Sequence, residues 1–372
     1  MFRLSHLFIK SKPATQHIAK FLCANHLERI QPRTTLSTMA THKAIICRSK
    51  EGWQKLTLED VKTPTPKDHE VLVKVGAAGI NYPDVLMCEE RYQMKPPYPF
   101  SPGGELAGTI ISVGSKVKSL KPGDRIATMS GFGAFQEKIV INESGCIPIP
   151  DFISTEVAAG LFFTYGTSIH ALKDRGELKP GETVLILGAS GGVGVAAIEI
   201  SKALGATVIA AASTSEKLAV CKKFGADHLI NYSEENLKAR VAELTGGKGV
   251  DVVYDAVGGQ HAEPALRSMA WRGRYLVIGF VGGIPKIPLN LTLLKGCSIV
   301  GVFWGMFTGR ESESFQADLQ QLMRWIGEKK LKPEVTGRFP LKDAPKAIGM
   351  MAERKVVGKY VVVCDPAVAS KL

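Results

Sequence analysis

The feature that most constrains the fold is a glycine-rich turn between an apolar segment and an amphipathic one. The stretch TVLIL at 183–187 predicts a buried strand, GASGGVG at 188–194 predicts a turn, and GVAAIEISKALG predicts a helix closed by Gly205. A second apolar strand, TVIAAA, follows directly. Such a βαβ unit, with a glycine-rich turn opening its helix, is the usual site for a dinucleotide pyrophosphate. The stretch therefore predicts dinucleotide binding.

The turn departs from the three-glycine pattern G-x-G-x-x-G, because Ala189 occupies the first glycine position. Alanine is sufficient there if its φ angle is negative. Gly191 and Gly192 let the backbone approach the pyrophosphate, and Gly194 allows the helix to pack closely on the strand. The predicted cofactor contacts of the turn are Ser190, Gly191, Gly192 and Val193.

The end of the second strand indicates which dinucleotide binds. Ser213 occupies the position at which an NAD enzyme places an acidic residue for the ribose 2′-hydroxyl. Hydroxyl groups and the ammonium of Lys217 instead suit a phosphate dianion, and Tyr232, after the third strand, is a further candidate for the adenine ribose. These residues predict NADPH rather than NADH. The alternative is that Lys217 is one more solvated lysine.

Two kinds of segment divide the 372 residues. Residues 43–150 hold short β-type runs separated by Gly and Pro, whereas strands alternate with helices from 183 onward. The alternation predicts a parallel, doubly wound sheet, so the predicted fold class is α/β with a separate β domain. The longest apolar runs are broken before 18 residues, and we therefore predict no membrane insertion.

Half of the formal net charge of +12 lies in the first 43 residues. The first 43 residues contain seven Lys or Arg and only one acidic residue, together with Ser, Thr, Leu and Phe. This composition is typical of a mitochondrial transit peptide, although an inconsequential tail is the alternative. Met39 is a second possible start, which would give a cytoplasmic form. The rest of the chain is only mildly basic, so a nucleic-acid partner is not predicted.

The cysteines and histidines do not form a recognisable metal motif. Seven Cys are scattered without a C-x-x-C pair, and there is no H-E-x-x-H sequence. Neither a disulfide framework nor a zinc cluster is predicted, and we expect no bound metal.

Four stretches together carry a family resemblance that extends from about residue 43 to the end: AAGINYPDVL, PGGELAGTIISVGSKVKSLKPGDRIA, the turn GASGGVG and INYSEENL. The chain resembles zinc-free medium-chain dehydrogenases/reductases of the quinone oxidoreductase branch. The resemblance implies a GroES-like β domain split around a Rossmann domain, NADPH in the cleft between them, and a homodimer or homotetramer. The implied segments are a transit segment at 1–38, the first part of the GroES-like domain at 39–163, the Rossmann domain at 164–301 and a return to the catalytic domain at 302–372.

Departures from the zinc-containing relatives indicate the chemistry. The resemblance aligns their zinc ligands with Asn81, Gly104 and Ala159. Asn, Gly and Ala do not replace thiolate, imidazole and thiolate around tetrahedral Zn²⁺, which argues against alcohol oxidation. Reduced nicotinamide can still pass hydride to a quinone or an α,β-unsaturated carbonyl, because a few hydrogen bonds steady the resulting oxyanion.

The candidate catalytic residues are Asn81, Tyr82 and Tyr92, although either tyrosine could simply pack in the core. By resemblance Thr164 faces the nicotinamide. Phe280, Phe303 and Trp304 are predicted to form an apolar wall of the site. Asn81, Phe280 and Phe303 are also predicted to contact the cofactor.

Two other functions remain open at this stage. A mitochondrial enoyl-thioester reductase would use a tyrosine at the place of Tyr92 as proton donor and would suit the transit-like N-terminus. A non-enzymatic NADPH-binding protein with a structural, regulatory or RNA-binding role is the second alternative.

Overall fold

The structure, a computed structural model, describes residues 40–370 and 372. The predicted targeting segment at 1–38 and the second start at Met39 lie outside the described residues. Within the described part, no helix has both the length and the apolar character needed to cross a membrane.

The described residues form the strands β1 (Thr41–Ile46), β2 (Thr57–Lys62), β3 (Glu70–Gly79), β4 (Glu105–Val113), β5 (Arg125–Met129), β6 (Lys138–Asn142), β7 (Ile147–Pro148), β8 (Thr183–Leu187), β9 (Thr207–Ala212), β10 (His228–Asn231), β11 (Val250–Asp255), β12 (Met269–Val277), β13 (Ser298–Gly301), β14 (Val335–Pro340) and β15 (Lys359–Val363). 

Their α-helices are α1 (Tyr82–Cys88), α2 (Thr155–Ala159), α3 (Thr167–Ile169), α4 (Gly192–Ala203), α5 (Ser215–Lys223), α6 (Leu237–Leu244), α7 (Ala262–Arg267), α8 (Asn290–Lys295), α9 (Trp304–Arg310), α10 (Ser312–Gly327), α11 (Ala344–Ala352) and α12 (Pro366–Ala369). The 3₁₀ turns are Trp53–Lys55, Glu143–Gly145, Gly259–His261 and Leu341–Asp343, and the π-type turns are Phe162–Gly166 and His170–Arg175.

The β domain is built on a seven-stranded sheet. Its order is β14-β15-β3-β4-β5-β7, with β6 also paired to β3, and β1 and β2 form a separate antiparallel pair. The central strand β3 places Val71, Val73 and Val75 in the core, each fully buried. The alternation of buried and exposed residues expected for an antiparallel strand is interrupted near Gly76, because both faces of β3 are covered there. This sheet supports the loop that begins at Ile80.

The second sheet has six parallel strands in the order β10-β9-β8-β11-β12-β13. Strand order reverses at β8, which pairs with β9 on one side and β11 on the other. In a doubly wound sheet the ligand crevice lies beyond the carboxyl ends of the strands at this reversal. The predicted α/β fold class, a GroES-like β domain with a Rossmann sheet, is confirmed.

Helix α4 covers the sheet next to the reversal point. It buries Val195, Ala196, Ile198 and Ile200, and the small side chains among them allow close contact with β8 and β9. The helix directs its first turn towards the crevice, where its free N–H groups and positive dipole end favour an anion.

The structure differs from the sequence prediction in three local places. The segment STEVAAGLFFTYGTSIHALKD, whose helical spacing and Ser/Thr start predict a helix, forms a series of short α and π turns. The apolar run SIVGVFW at 298–304 predicts a strand, but the strand ends at Gly301, because Trp304 is buried and begins α9. A short helix, α1, was not predicted in the β domain and follows the loop at Asn81.

The C-terminal segment contacts both sheets in turn. Helix α10 packs Leu322 and Trp325 into the core of the parallel-sheet domain. The chain then joins the β domain through β14 and β15, and β15 pairs antiparallel with β3. This connection brings Gly358 and Lys359 to the edge of the crevice.

Candidate cofactor and active site

The dinucleotide turn has its left-handed residue one position before the alanine. Gly188 adopts φ +67°, whereas Ala189 is not among the positive-φ residues and is fully buried. Glycine's conformational freedom is therefore used at 188, and alanine is sufficient at 189 because its φ angle is not positive. The departure from the three-glycine pattern carries no steric cost.

Two glycines of the turn have different environments. A Cβ at Gly194 would lie 2.4 Å from the carbonyl oxygen of Gly188 and 2.6 Å from Cα of Ala189, so only glycine fits between helix and strand. A Cβ at Gly191 would meet only the Gly188 oxygen, at 3.5 Å. The space above Gly191 is open towards the crevice. The turn thus fits a phosphate that approaches the backbone closely.

The predicted 2′-phosphate residues lie together. Nζ of Lys217 is 3.2 Å from Oγ of Ser213 and 3.2 Å from the carbonyl oxygen of Arg354. Burial raises the pKa of Tyr232, while a hydrogen bond with Ser213 and the charge of Arg354 oppose the rise. The ammonium of Lys217 and the hydroxyls of Ser213 and Tyr232 therefore lie together at the end of β9, and the charge of Arg354 acts on Tyr232. A 2′-phosphate fits this donor set.

On the β-domain side, Asn81 belongs to a buried polar network. Nζ of Lys359 donates to Oδ1 of Asn81 and to Oε1 of Glu105, both at 2.7 Å, and to the carbonyl oxygen of Ile80 at 3.1 Å. Nδ2 of Asn81 donates to the same Glu105 oxygen at 2.9 Å, and the N–H of Phe163 donates to the other at 3.0 Å. The carboxylate of Glu105 is fully buried, so this is an ion pair removed from water.

The same strand touches the dinucleotide turn. The N–H of Gly358 donates to the carbonyl oxygen of Ser190 at 2.7 Å. A Cβ at Gly192 would lie 3.0 Å from Cγ2 of Thr164, which places that threonine beside the turn. Thr164 is buried, and its hydroxyl donates to the carbonyl oxygen of Gly160 at 2.8 Å. The predicted cofactor residues 164 and 190–193 are therefore contiguous with the Asn81 network.

The first turn of α1, directly after Asn81, contains a carboxyl group with an unusual pKa. Oδ2 of Asp84 accepts the backbone N–H of Asn81 at 2.8 Å, whereas Oδ1 is buried and has no hydrogen-bond partner among the described residues. Burial raises the pKa of Asp84 to about 7. Asp84 thus fixes the backbone of Asn81 at the start of α1.

One candidate tyrosine begins α1 and the other follows its end. Tyr82 opens the helix next to Asn81 and is half-buried, and Tyr92 is half-buried against the β-domain core. Burial and the nearby Asp84 raise the pKa of Tyr92, so its hydroxyl keeps its proton at neutral pH. A protonated phenol is able to donate a hydrogen bond.

The three aromatic residues predicted as an apolar wall have different environments. Trp304 is 6% exposed and packs edge-on against Phe163 and Phe315, so it is a core residue. Phe303 and Phe280 remain about half exposed, and Phe280 lies near Gly258 beyond the end of β11. Only the two phenylalanines present apolar surface to solvent.

The positions aligned with zinc ligands lie close to this network. Gly104 precedes Glu105, and a Cβ at Gly104 would be 3.1 Å from the ring of Phe163. A Cβ at Gly79 would lie 2.6 Å from the carbonyl oxygen of Ala159, so helix α2, which ends at Ala159, packs directly against β3. Side-chain donors around Asn81 come from an amide, an ammonium and one carboxylate, a set that does not match Zn²⁺.

Sequence reasoning missed Lys359 and Glu105. Glu105 lies in the quoted stretch that begins PGGE, but Lys359 is 254 residues further along the chain, and the two meet only after β15 pairs with β3. A lysine inside an apolar strand was the available signal, because a buried lysine requires a partner.

Comparison with known proteins shows to which family the chain belongs. Two family models match, an alcohol dehydrogenase GroES-like domain over 67–151 and a zinc-binding dehydrogenase over 192–328. Quinone oxidoreductase-like protein 2 of Bos taurus is 37% identical over 324 residues, which cover 86% of this chain and 92% of the relative. The chain belongs to the quinone oxidoreductase-like medium-chain dehydrogenases/reductases.

Further members of this oxidoreductase family support the assignment. Human quinone oxidoreductase is 33% identical over 289 residues, which cover 77% of this chain and 87% of the relative. The crystal structure of Escherichia coli quinone oxidoreductase complexed with NADPH aligns with a TM-score of 0.80 at 31% identity, covering 87% of this chain and all of that one. The resemblance that the sequence analysis drew from four motifs is confirmed.

Proposed function

We propose that this quinone oxidoreductase-like chain is an NADPH-dependent oxidoreductase that reduces quinones or α,β-unsaturated carbonyls without zinc. The observation that carries the proposal is the arrangement of Asn81, whose amide is held by Lys359 and Glu105 beside the dinucleotide turn. An oriented amide N–H at this place suits an oxyanion that forms when a carbonyl accepts hydride at a conjugated carbon.

The cofactor preference rests on the adenosine end of the crevice. When bound, NADPH supplies the hydride, and its 2′-phosphate distinguishes it from NADH. Ser213, Lys217 and Tyr232 provide donors and positive charge for that phosphate, and there is no acidic residue at 213 to repel it. The structural similarity to an NADPH-bound quinone oxidoreductase from E. coli agrees with this preference.

The acceptor class follows from the side chains near Asn81. An alcohol substrate needs a Lewis acid to lower the pKa of its hydroxyl, and Asn81, Gly104 and Ala159 are poor replacements for zinc ligands. A quinone or an enone needs less activation, because hydrogen bonds alone stabilise its oxyanion. Tyr82 and Tyr92 are the proposed proton donors, since both lie next to the Asn81 loop.

A second copy of the chain is the proposed protein partner. Strand β13 is the last strand of the parallel sheet and pairs only with β12 among the described strands. Exposed apolar side chains lie on the neighbouring strand β12 and in the segment that leads into β13: Trp271, Ile284, Leu289, Leu293 and Leu294. An exposed sheet edge rimmed by apolar residues favours association. We propose a homodimer or homotetramer, and Leu293→Lys should lower the mass measured by light scattering.

The site of action that we propose is the mitochondrial matrix, with a cytoplasmic form beginning at Met39. The support is the basic composition of residues 1–38. Imaging a fluorescent protein fused to residues 1–38 would test this, and diffuse cytoplasmic fluorescence would contradict it.

Turnover with matched acceptors tests the function. Wild-type protein is assayed for NADPH oxidation with a p-benzoquinone, a small enone and an enoyl-CoA at equal concentrations. We expect the quinone or the enone to be reduced with the higher kcat/KM. Preference for the enoyl-CoA would instead indicate a thioester reductase, and NADPH binding without oxidation of NADPH by any acceptor would indicate a non-enzymatic role.

A further inference from the structure

Lys359 is a buried lysine whose donors are all engaged. An ammonium has three N–H donors, and those of Lys359 face Ile80, Asn81 and Glu105. The residue is only 8% exposed. With no donor left for a ligand, Lys359 acts on the site only through the groups that it already holds.

The amide of Asn81 is held at both ends by this network. Its oxygen accepts from Lys359 and its nitrogen donates to Glu105. In the flipped orientation the amide nitrogen would face the ammonium and the amide oxygen would face the carboxylate, so two favourable contacts would become unfavourable. The amide nitrogen carries two hydrogens, and one remains after the bond to Glu105 is made. Lys359 thereby fixes which end of the amide is the donor.

The same lysine is one residue away from a contact with the dinucleotide turn. Gly358 donates to the carbonyl oxygen of Ser190, and a Cβ at Gly192 would lie 3.7 Å from Cδ of Lys359. Any displacement of the turn would therefore move the backbone of Lys359. Strand β15 thus sets the distance between the turn and the Asn81 amide.

We propose that Lys359 is a positioning residue for the reduction. It holds Asn81 so that one amide N–H is free for the oxyanion of the acceptor, and it keeps that N–H in place relative to the cofactor turn. Glu105 balances its charge, since an unpaired buried ammonium would be strongly unfavourable. This role rests on the proposed function, because it requires an acceptor that gains negative charge beside Asn81.

A double-mutant cycle on Lys359 and Asn81 tests the role. Lys359→Met should lower kcat about 100-fold, the size of effect that follows a misplacement of about 1 Å, and should change the Kd for NADPH less than about 3-fold. Asn81→Ala should lower kcat by a similar factor. The double variant should be no slower than either single variant, because both changes remove the same N–H.

Three further variants separate positioning from folding. Lys359→Met/Glu105→Gln removes the buried carboxylate that Lys359→Met leaves unpaired, and should fold with the same loss of kcat. Lys359→Arg should recover part of kcat, because a guanidinium also donates to an amide and a carboxylate. Lys74→Met, in the exposed pair with Asp365 on the same sheet, is the matched control and should keep wild-type kcat. Melting temperature is recorded for each.

Each outcome has a distinct meaning. If wild type oxidises NADPH with a quinone or an enone but Lys359→Met keeps its kcat, or if the losses at 359 and 81 multiply, the positioning role is wrong while the proposed function stands. If wild type binds NADPH, as titrated by its fluorescence, and reduces no acceptor, the proposed function fails and the positioning role fails with it.

Discussion

Removing the ammonium of Lys217 should weaken NADPH binding selectively. Nζ of Lys217 is held at 3.2 Å from both Ser213 and Arg354, so the side chain is already placed at the end of β9 before a cofactor arrives. Two of its three donors are used by these contacts, and the third is available to a phosphate oxygen. Lys217→Ala removes this donor and its charge without removing a core side chain, because Lys217 is half-buried.

The magnitude follows from one charge-assisted hydrogen bond. Such a bond to a charged partner contributes about 1.5–3 kcal/mol, and each 1.4 kcal/mol corresponds to a factor of ten in Kd. Partial exposure of the ammonium reduces the gain, because water screens the charge. We therefore expect the Kd for NADPH to rise about 10- to 50-fold in Lys217→Ala, while the Kd for NADH changes less than about 2-fold.

Titration of nicotinamide fluorescence with both cofactors measures these constants. Competition by 2′,5′-ADP and by AMP isolates the 2′-phosphate from the rest of the dinucleotide. Lys222→Ala, on the same helix α5, is the matched control, because Lys222 donates to the carbonyl oxygen of Ala226 at the other end of the helix. Equal wild-type Kd values for NADPH and NADH, or an equal loss of both in Lys217→Ala, would refute the proposed phosphate site.

Three other predictions concern the turn, the loop and the metal. Gly194→Ala should destabilise the fold by roughly 3 kcal/mol or prevent folding, because its Cβ would meet backbone atoms at 2.4 and 2.6 Å, whereas Gly191→Ala should change stability by less than about 1 kcal/mol but weaken NADPH binding. Denaturant unfolding and NADPH titration of both variants check this, and an unstable Gly191→Ala would contradict it. Burial raises the pKa of Asp84 to about 7, well above that of the unfolded chain, so the folded state retains a proton and stability should fall as the pH rises from about 4 through 7. Asp84→Asn should therefore gain about 2 kcal/mol relative to wild type between pH 5.5 and 8, and parallel stability curves of the two proteins would contradict this. Finally, dialysis against a strong chelator should leave quinone reduction unchanged, and a loss of activity that Zn²⁺ restores would contradict a zinc-free reaction.

The fold was predictable because its signals are local. The strands at 183–187 and 207–212, the helix closed at Gly205 and the turn between them each follow from apolar periodicity and glycine positions. Errors occurred where tertiary contacts override the local pattern. In the sequence, Trp304 continues the apolar run of β13. In the structure its ring packs into the core beside Phe163, and the residue begins helix α9 instead of extending the strand.

The site was predictable only in part, for a related reason. The candidates at 190–193, 213 and 217 lie in one βαβ unit and in the turn and helix that follow it directly, so their proximity follows from the motif. Lys359 and Glu105 join Asn81 through the pairing of β15 with β3, which no spacing along the chain encodes. Arg354 reaches Lys217 through its carbonyl oxygen, a contact that its residue type does not predict.

The most direct test of the proposed activity follows a labelled hydride. Wild-type protein is incubated with NADPH deuterated at the transferable C4 position and with a small enone, and the product is analysed by mass spectrometry and NMR. We predict one deuterium at the β-carbon, a solvent-derived proton at the α-carbon, and loss of this product in Asn81→Ala. Recovery of unreacted enone and unoxidised cofactor, under conditions where NADPH is shown to bind, would contradict the account.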